Sequence, residues 1–262
     1  MTTVEHRRFP VAVESAVFAG RLMTLWRRNP LVPLQSALFP TILLIVYYLL
    51  VSRSMMRLTG SDSLDTVVSM CALAGGMSGS VAAALSIPVE RENGLMARFW
   101  VMPVHRASAL TGTLLAEAVR TVVATVVIVA VGMLLGMRFH GGLAAAVVFV
   151  TIPVLWVTVY ATVVIVIALR CRSVAMLTWM NGVSLGAVFA SAGVAPLELF
   201  PAWIRPVVHH QPMSATIEAM QDLARGGVAV QPLVSTFAWI ASLGVVAGIL
   251  VMRGYRTAVR SG

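Results

Sequence analysis

Glu90-Arg91-Glu92-Asn93-Gly94-Leu95-Met96-Ala97-Arg98-Phe99-Trp100-Val101-Met102-Pro103-Val104-His105-Arg106 crowds charge, bulky apolar side chains and helix punctuation into one short stretch. It stands between two apolar runs, about Thr66 to Pro88 and about Ala109 to Leu135. Each run is long enough for the roughly 18–20 residues that cross a hydrocarbon core. The charged island between them therefore sits at a membrane surface, where a neighbour can touch it. Outward from this centre, further apolar runs cover about Leu31–Val51, Leu143–Leu169, Val174–Ala192 and Leu233–Met252. Together they predict an all-α integral membrane protein with six transmembrane helices. The runs are continuously apolar, whereas a β-barrel needs alternation, and an open sheet leaves backbone groups unsatisfied in lipid.

Composition agrees. Hydrophobic residues make up 59% and charged residues 11%, against roughly a quarter charged in soluble domains. The whole of 1–262 reads as one membrane domain. The charged N-terminus and its long first apolar run lack the pattern of a cleavable signal peptide.

All 19 basic residues are arginine. They flank the apolar runs as orientation signals, so the net charge of +9 points to membrane topology and away from nucleic acid. Six crossings put both termini on one side. That side holds Arg7, Arg8, Arg21, Arg27, Arg28, the three island arginines, Arg170, Arg172 and the three of the tail. The other side holds Arg53, Arg57, Arg138, Arg205 and Arg225. The positive-inside rule then makes both termini and the island cytoplasmic, in a multi-pass protein of a bacterial cytoplasmic membrane. The absence of lysine excludes a Walker A loop, whose lysine reaches the β- and γ-phosphates. An ATP-driven role thus needs ATP and Mg²⁺ on a separate subunit, with no cofactor bound by this chain.

Residues 11–28 predict an amphipathic interfacial helix. Val11, Phe18, Ala19, Leu22, Met23, Leu25 and Trp26 share one arc, and Glu14, Arg21, Thr24, Arg27 and Arg28 fill the rest. Asn29-Pro30 breaks it from the first span. Gly75 to Ala84 is a small-residue seam that lets a second helix approach closely. Residues 193–232 carry Pro196, Pro201, Pro206 and Pro212 with apolar residues too broken for a crossing. They predict an extracytoplasmic segment with a short re-entrant or interfacial helix.

Glu117 and Arg120 lie three apart on one face of the third span and are able to pair. Ionisable residues inside a span mark either a structural ion pair or part of a substrate path. His209-His210 has no accompanying carboxylate or cysteine cluster, and Cys71 and Cys171 have no metal spacing, so neither a metal site nor a catalytic residue is expected. Trp156, Trp179, Trp203 and Trp239 read as membrane-boundary aromatics, with a hydrophobic pathway as the other reading.

The island helix, residues 89–102 closed by Pro103, presents Phe99, Trp100 and Met102 to lipid or to a partner's groove. Glu90-Arg91-Glu92-Asn93-Gly94-Leu95 followed by Pro103-Val104-His105-Arg106 resembles the loop between the second and third helices of ABC-2 type permeases, especially the daunorubicin-resistance exporter group. Pro196 to Pro206, with Trp203, and then His210-Gln211-Pro212-Met213-Ser214 resemble that family's segment between helices five and six. The resemblance covers essentially the whole chain. It departs from the family's pattern in having no basic residue near Asn93, no lysine near Thr113, and Gln221-Asp222 where a basic residue is common.

The resemblance implies that 89–106 holds a coupling helix docking on an ATPase subunit through Glu90, Arg91, Glu92, Gly94, Leu95, Arg98, Phe99, Trp100, Pro103 and Arg106. It implies two ATPase copies, a second permease chain, identical or homologous, and export of amphipathic drugs or lipids. A membrane-embedded lipid-modifying enzyme and a passive channel or scaffold are the other classes open to such a chain. The scattered acidic residues disfavour the first, and the charged island is superfluous to the second.

Overall fold

The computed structural model describes residues 11–28, 30–52, 64–85, 106–170, 173–191, 201–227 and 230–260. These form helices α1 (Val11–Arg28), α2 (Leu31–Tyr47), α3 (Leu64–Ala84), α4 (Arg106–Leu134), α5 (Gly142–Arg170), α6 (Val174–Phe189), α7 (Arg205–His210), α8 (Pro212–Arg225) and α9 (Val230–Arg260). No strand occurs among the described residues. The segment expected to hold a coupling helix, up to His105, the segment 192–200 with Pro196 and Glu198, and Cys171 lie outside the described residues.

Within Leu64–Ala84, Leu110–Leu134, Gly142–Arg170 and Val230–Val251 the helices are long and apolar enough to cross a membrane. The runs expected as first and fifth crossings form shorter apolar helices, Ala37–Leu50 and Val174–Phe189. α6, with 16 residues, is about 24 Å long, short of a ~30 Å hydrocarbon core. α2 carries Pro40 inside it and is prolonged by a π-turn over Tyr48–Ser52.

α3 is the hub, packing against α2, α4, α5, α6 and α8. Nearly all of it is buried, and its small residues are the reason. A Cβ on Gly76 would stand 2.4 Å from Val157 Cγ2 of α5, so the Val157 side chain packs directly on the bare backbone of α3. Gly132 of α4 does the same for Val68 of α3, at 2.6 Å. Around the seam, Leu44, Leu73, Ile128, Phe149, Ile152 and Met220 form the centre of the core.

The proline-rich region yields two helices. Pro206 and Pro212 fall at their first turns, where a missing N–H costs nothing. Gly226, in the left-handed region at φ 80°, ends α8. α8 packs on α3, α5 and α9 and also touches α6. Its Arg225 pairs with Asp65 at 3.3 Å, and Gln221 donates to Thr66. The His140 N–H, just before α5, donates to the Ala224 carbonyl at 2.7 Å. Further back along α8, Thr216 receives the Trp156 indole N–H at 2.7 Å. Trp156 is fourteen residues into α5, about 21 Å from Gly142, so α8 descends beside α5. Trp156 is accordingly a buried core residue (3% exposed), in contrast to the boundary position its residue type suggests. Trp179 and Trp203 stay outward, each 76% exposed.

Candidate functional site

α4 is where the sequence-predicted residues converge. Its first residue is Arg106, the last of the charged island. Three turns on it carries Glu117 and Arg120, buried at 1% and 4% exposure. Arg120 Nη2 donates to Glu117 Oε2, and Ser80 Oγ of α3 donates to the same oxygen at 3.0 Å. Arg120 Nη2 also reaches the Gly76 carbonyl at 3.4 Å. A Cβ on Gly79 would fall 1.4 Å from Arg120 Nη1. The end of the guanidinium therefore occupies the space that a Cβ on Gly79 would take. The small-residue seam expected to admit a helix admits a cation as well.

The arrangement is a charge clamp between α3 and α4. Glu117 Oε1 and Arg120 Nε and Nη1 find no hydrogen-bond partner among the described residues. A buried ion pair with spare donors and acceptors is weak as a source of stability and best suited to fixing register between two helices. Among the described residues, no three of His, Cys, Asp and Glu come together as metal ligands. His210 Nδ1 lies 2.9 Å from the Pro206 carbonyl, and its ring stands edge-on to His209.

α1 is clamped onto the start of α4. Ser15 Oγ and Thr111 Oγ1 are 2.5 Å apart. A Cβ on Gly112 would stand 2.5 Å from Phe18 Cβ and 2.8 Å from the Ser15 carbonyl. Further along, Met23 and Trp26 share a cleft with Val119, Arg120 and Val123. α1 thus runs beside α4 in the same direction. Ala19 and Ser15 are buried, whereas Arg21, Arg27 and Arg28 are exposed. Sequence reasoning found the amphipathic arc but missed Gly112 and its flanking threonines. Their signal was a glycine near a helix start, the place for a close helix approach.

The structure brings Glu117 and Arg120 together and sets Trp26 and Arg120 on one cleft. Pro201, Trp203 and Pro206 stay exposed around α7, and Pro212 opens α8. Glu90 to Pro103 fall outside the described residues.

A family model for ABC-2 type transporters matches residues 15–224. The chain belongs to that family. The matched region opens at Ser15, the α1 residue that meets α4, and closes at Ala224, where α8 meets His140. Among its relatives, this ABC-2 transporter chain is similar to the probable doxorubicin resistance ABC transporter permease protein DrrC of Mycobacterium tuberculosis strain H37Rv. The two are 34% identical over 239 residues, covering 91% of this chain and 87% of the relative. It is also similar to the daunorubicin resistance ABC transporter permease protein DrrB1 of Streptomyces coeruleorubidus, 28% identical over 177 residues, or 65% of this chain and 61% of that one.

Proposed function

We propose that this chain is the membrane permease subunit of an ATP-driven exporter that moves amphipathic drugs or lipids out across the cytoplasmic membrane. Family membership over 15–224 supports the permease role, and the named drug-resistance permeases among the relatives support the cargo class. In this reading α2 and α6 complete six crossings with both termini cytoplasmic. Two permease chains pair, and two ATPase subunits bind the coupling segment 89–106. Outward apolar side chains on α2, α6 and α9, such as Phe39, Trp179 and Val245, meet lipid or the second permease.

The observation that carries the mechanism is that α4 joins all the moving parts. It starts where the coupling segment ends, holds α1 at Thr111–Gly112 and holds α3 through Glu117–Arg120. Force delivered by an ATPase at 89–105 enters the first turn of a stiff helix, and the clamp passes it to the α3 hub. Packed helices of this kind switch between discrete arrangements. ATP binding energy then becomes a change of helix packing around the cargo.

The test is ATP-dependent export in vesicles containing the permease with its ATPase. Gly94→Pro and Arg98→Glu are expected to cut export about tenfold while leaving insertion and abundance unchanged. Mild solubilisation should bring the ATPase down with the wild type and less of it with Arg98→Glu. Export that persists in ATP-depleted vesicles would overturn the reading.

A further inference from the structure

The cleft between α1, α2 and α4 is lined by Met23, Trp26, Ala37, Val119, Val123 and Ala124 around Arg120. Its volume is about 130 Å³ and it is open on one side. That is close to the space which takes a benzene-sized apolar group. Its lining residues come from the last turns of α1, the first half of α2 and the middle of α4. The walls are almost wholly apolar, which suits a hydrocarbon chain and offers little to a free inorganic anion.

The mouth has the opposite character. Met23 and Arg27 are four apart on α1, so Arg27 continues the cleft-lining stripe by one turn, and Arg28 follows it. Both arginines are exposed, and neither forms an ion pair among the described residues. On the cleft's floor Arg120 is nearly fully buried, with Nε lacking an acceptor. An apolar slot with two cations at its rim matches a molecule that joins an acyl chain to an anion. A zwitterionic lipid brings a phosphate whose charge its own choline offsets, and a soluble anion would leave the slot unfilled.

We propose that the cleft seats a short segment of one acyl chain of an anionic phospholipid, whose phosphate pairs with Arg27 and Arg28. The lipid bridges α1, α2 and α4, so it holds α1 on α4 and makes that contact sensitive to the charge of the surrounding leaflet. This binding stands whether or not export is the chain's activity.

Trp26 reports on the seat directly. The full chain is placed in phosphatidylcholine bilayers containing increasing fractions of phosphatidylglycerol, or of phosphatidylcholine, brominated on the acyl chain. The Trp26 share of the fluorescence is taken as the difference from Trp26→Phe. Brominated phosphatidylglycerol should quench that share at roughly tenfold lower mole fraction, as expected for two arginines near an anionic headgroup. Arg27→Gln/Arg28→Gln should abolish the preference, and Arg27→Lys/Arg28→Lys should keep most of it. Ala37→Phe, which fills the slot, should lower quenching by both lipids. Equal quenching by the two lipids would mean only the ordinary annular shell and would overturn the proposal. So would a preference that survives the glutamine pair, or quenching unchanged by Ala37→Phe.

Discussion

Glu117→Leu isolates the α3–α4 clamp. Among the described residues, the carboxylate it removes is the only anion bonded to Arg120, whose remaining acceptor is the Gly76 carbonyl at 3.4 Å. Arg120 cannot relax towards water without leaving the seat on Gly79, because it is 4% exposed and enclosed by α3. Breaking a buried pair from one side costs about 3–5 kcal/mol. Ser80 adds little to that loss, since its hydroxyl also reaches the Gly76 carbonyl at 3.2 Å. The double variant Glu117→Leu/Arg120→Met removes both charges at similar volume and is expected within about 1 kcal/mol of wild type, or above it. The assay is unfolding of the purified chain in mixed micelles, run as a double-mutant cycle. With each single change costing about 3–5 kcal/mol and the double variant near wild type, a coupling of about 5 kcal/mol or more between the two positions is expected. In vesicles the double variant, though stable, should export at least fivefold more slowly, because an apolar contact no longer fixes the register between α3 and α4. A Glu117→Leu cost below about 1 kcal/mol, or a double variant as unstable as the sum of the singles, would refute the clamp.

Gly112→Val drives a side chain into Phe18 and the Ser15 carbonyl. It should free α1 at a cost of about 1–3 kcal/mol, read as faster proteolysis within residues 11–28 with the rest of the bundle intact. Ser15→Cys with Thr111→Cys, in a background lacking Cys71 and Cys171, should cross-link on mild oxidation, and Gly112→Val should suppress the cross-link. Trp156→Phe removes the donor to Thr216 and should lower stability by about 1 kcal/mol, with hydrogen exchange rising first in Pro212–Arg225. Cysteines at Arg138 and Arg225 should react with an impermeant reagent from outside intact cells, and one at Arg98 only after permeabilisation. Labelling of Arg98→Cys from outside would remove the basis for coupling through 89–106.

How far the molecule was legible in its sequence depended on which property the chain had to declare locally. Length and apolarity declare a helix in lipid, so α3, α4, α5 and α9 were visible as spans. A spacing of three declares a shared face, so Glu117 and Arg120 were visible as a pair. Neither property names a partner on another helix. Ser80 and Gly79 join the pair only through the antiparallel register of α3 and α4, which Gly76 and Gly132 set by close contact at distant points. The arc of α1 was legible, but lipid tails and a neighbouring helix are equally apolar. Periodicity therefore could not distinguish Ala19, buried in the bundle, from Leu25, which is 46% exposed. Trp156 failed for a related reason. A tryptophan needs one polar partner, and a headgroup and a threonine on a descending helix answer that need equally well.

The same contrast explains why α4 is the informative helix. Between Gly112 and Val123 it needs a glycine for α1 at Gly112, a carboxylate and a guanidinium for α3 at Glu117 and Arg120, and an apolar wall at Val119 and Val123. Gly112, Val119 and Val123, seven and four apart, share the face towards α1, and Glu117 and Arg120 turn towards α3, so two faces of one rigid cylinder carry these demands. A change imposed at any one of them must reorient the others together, unless the helix itself bends. No proline interrupts α4 between Arg106 and Leu134, whereas Pro40 lies in the interior of α2 and Pro153 in that of α5. Introducing a proline at Val119 would therefore separate the coupling end from the clamp. It should abolish ATP-dependent export while the Ser15→Cys–Thr111→Cys cross-link, on the near side of the break, still forms.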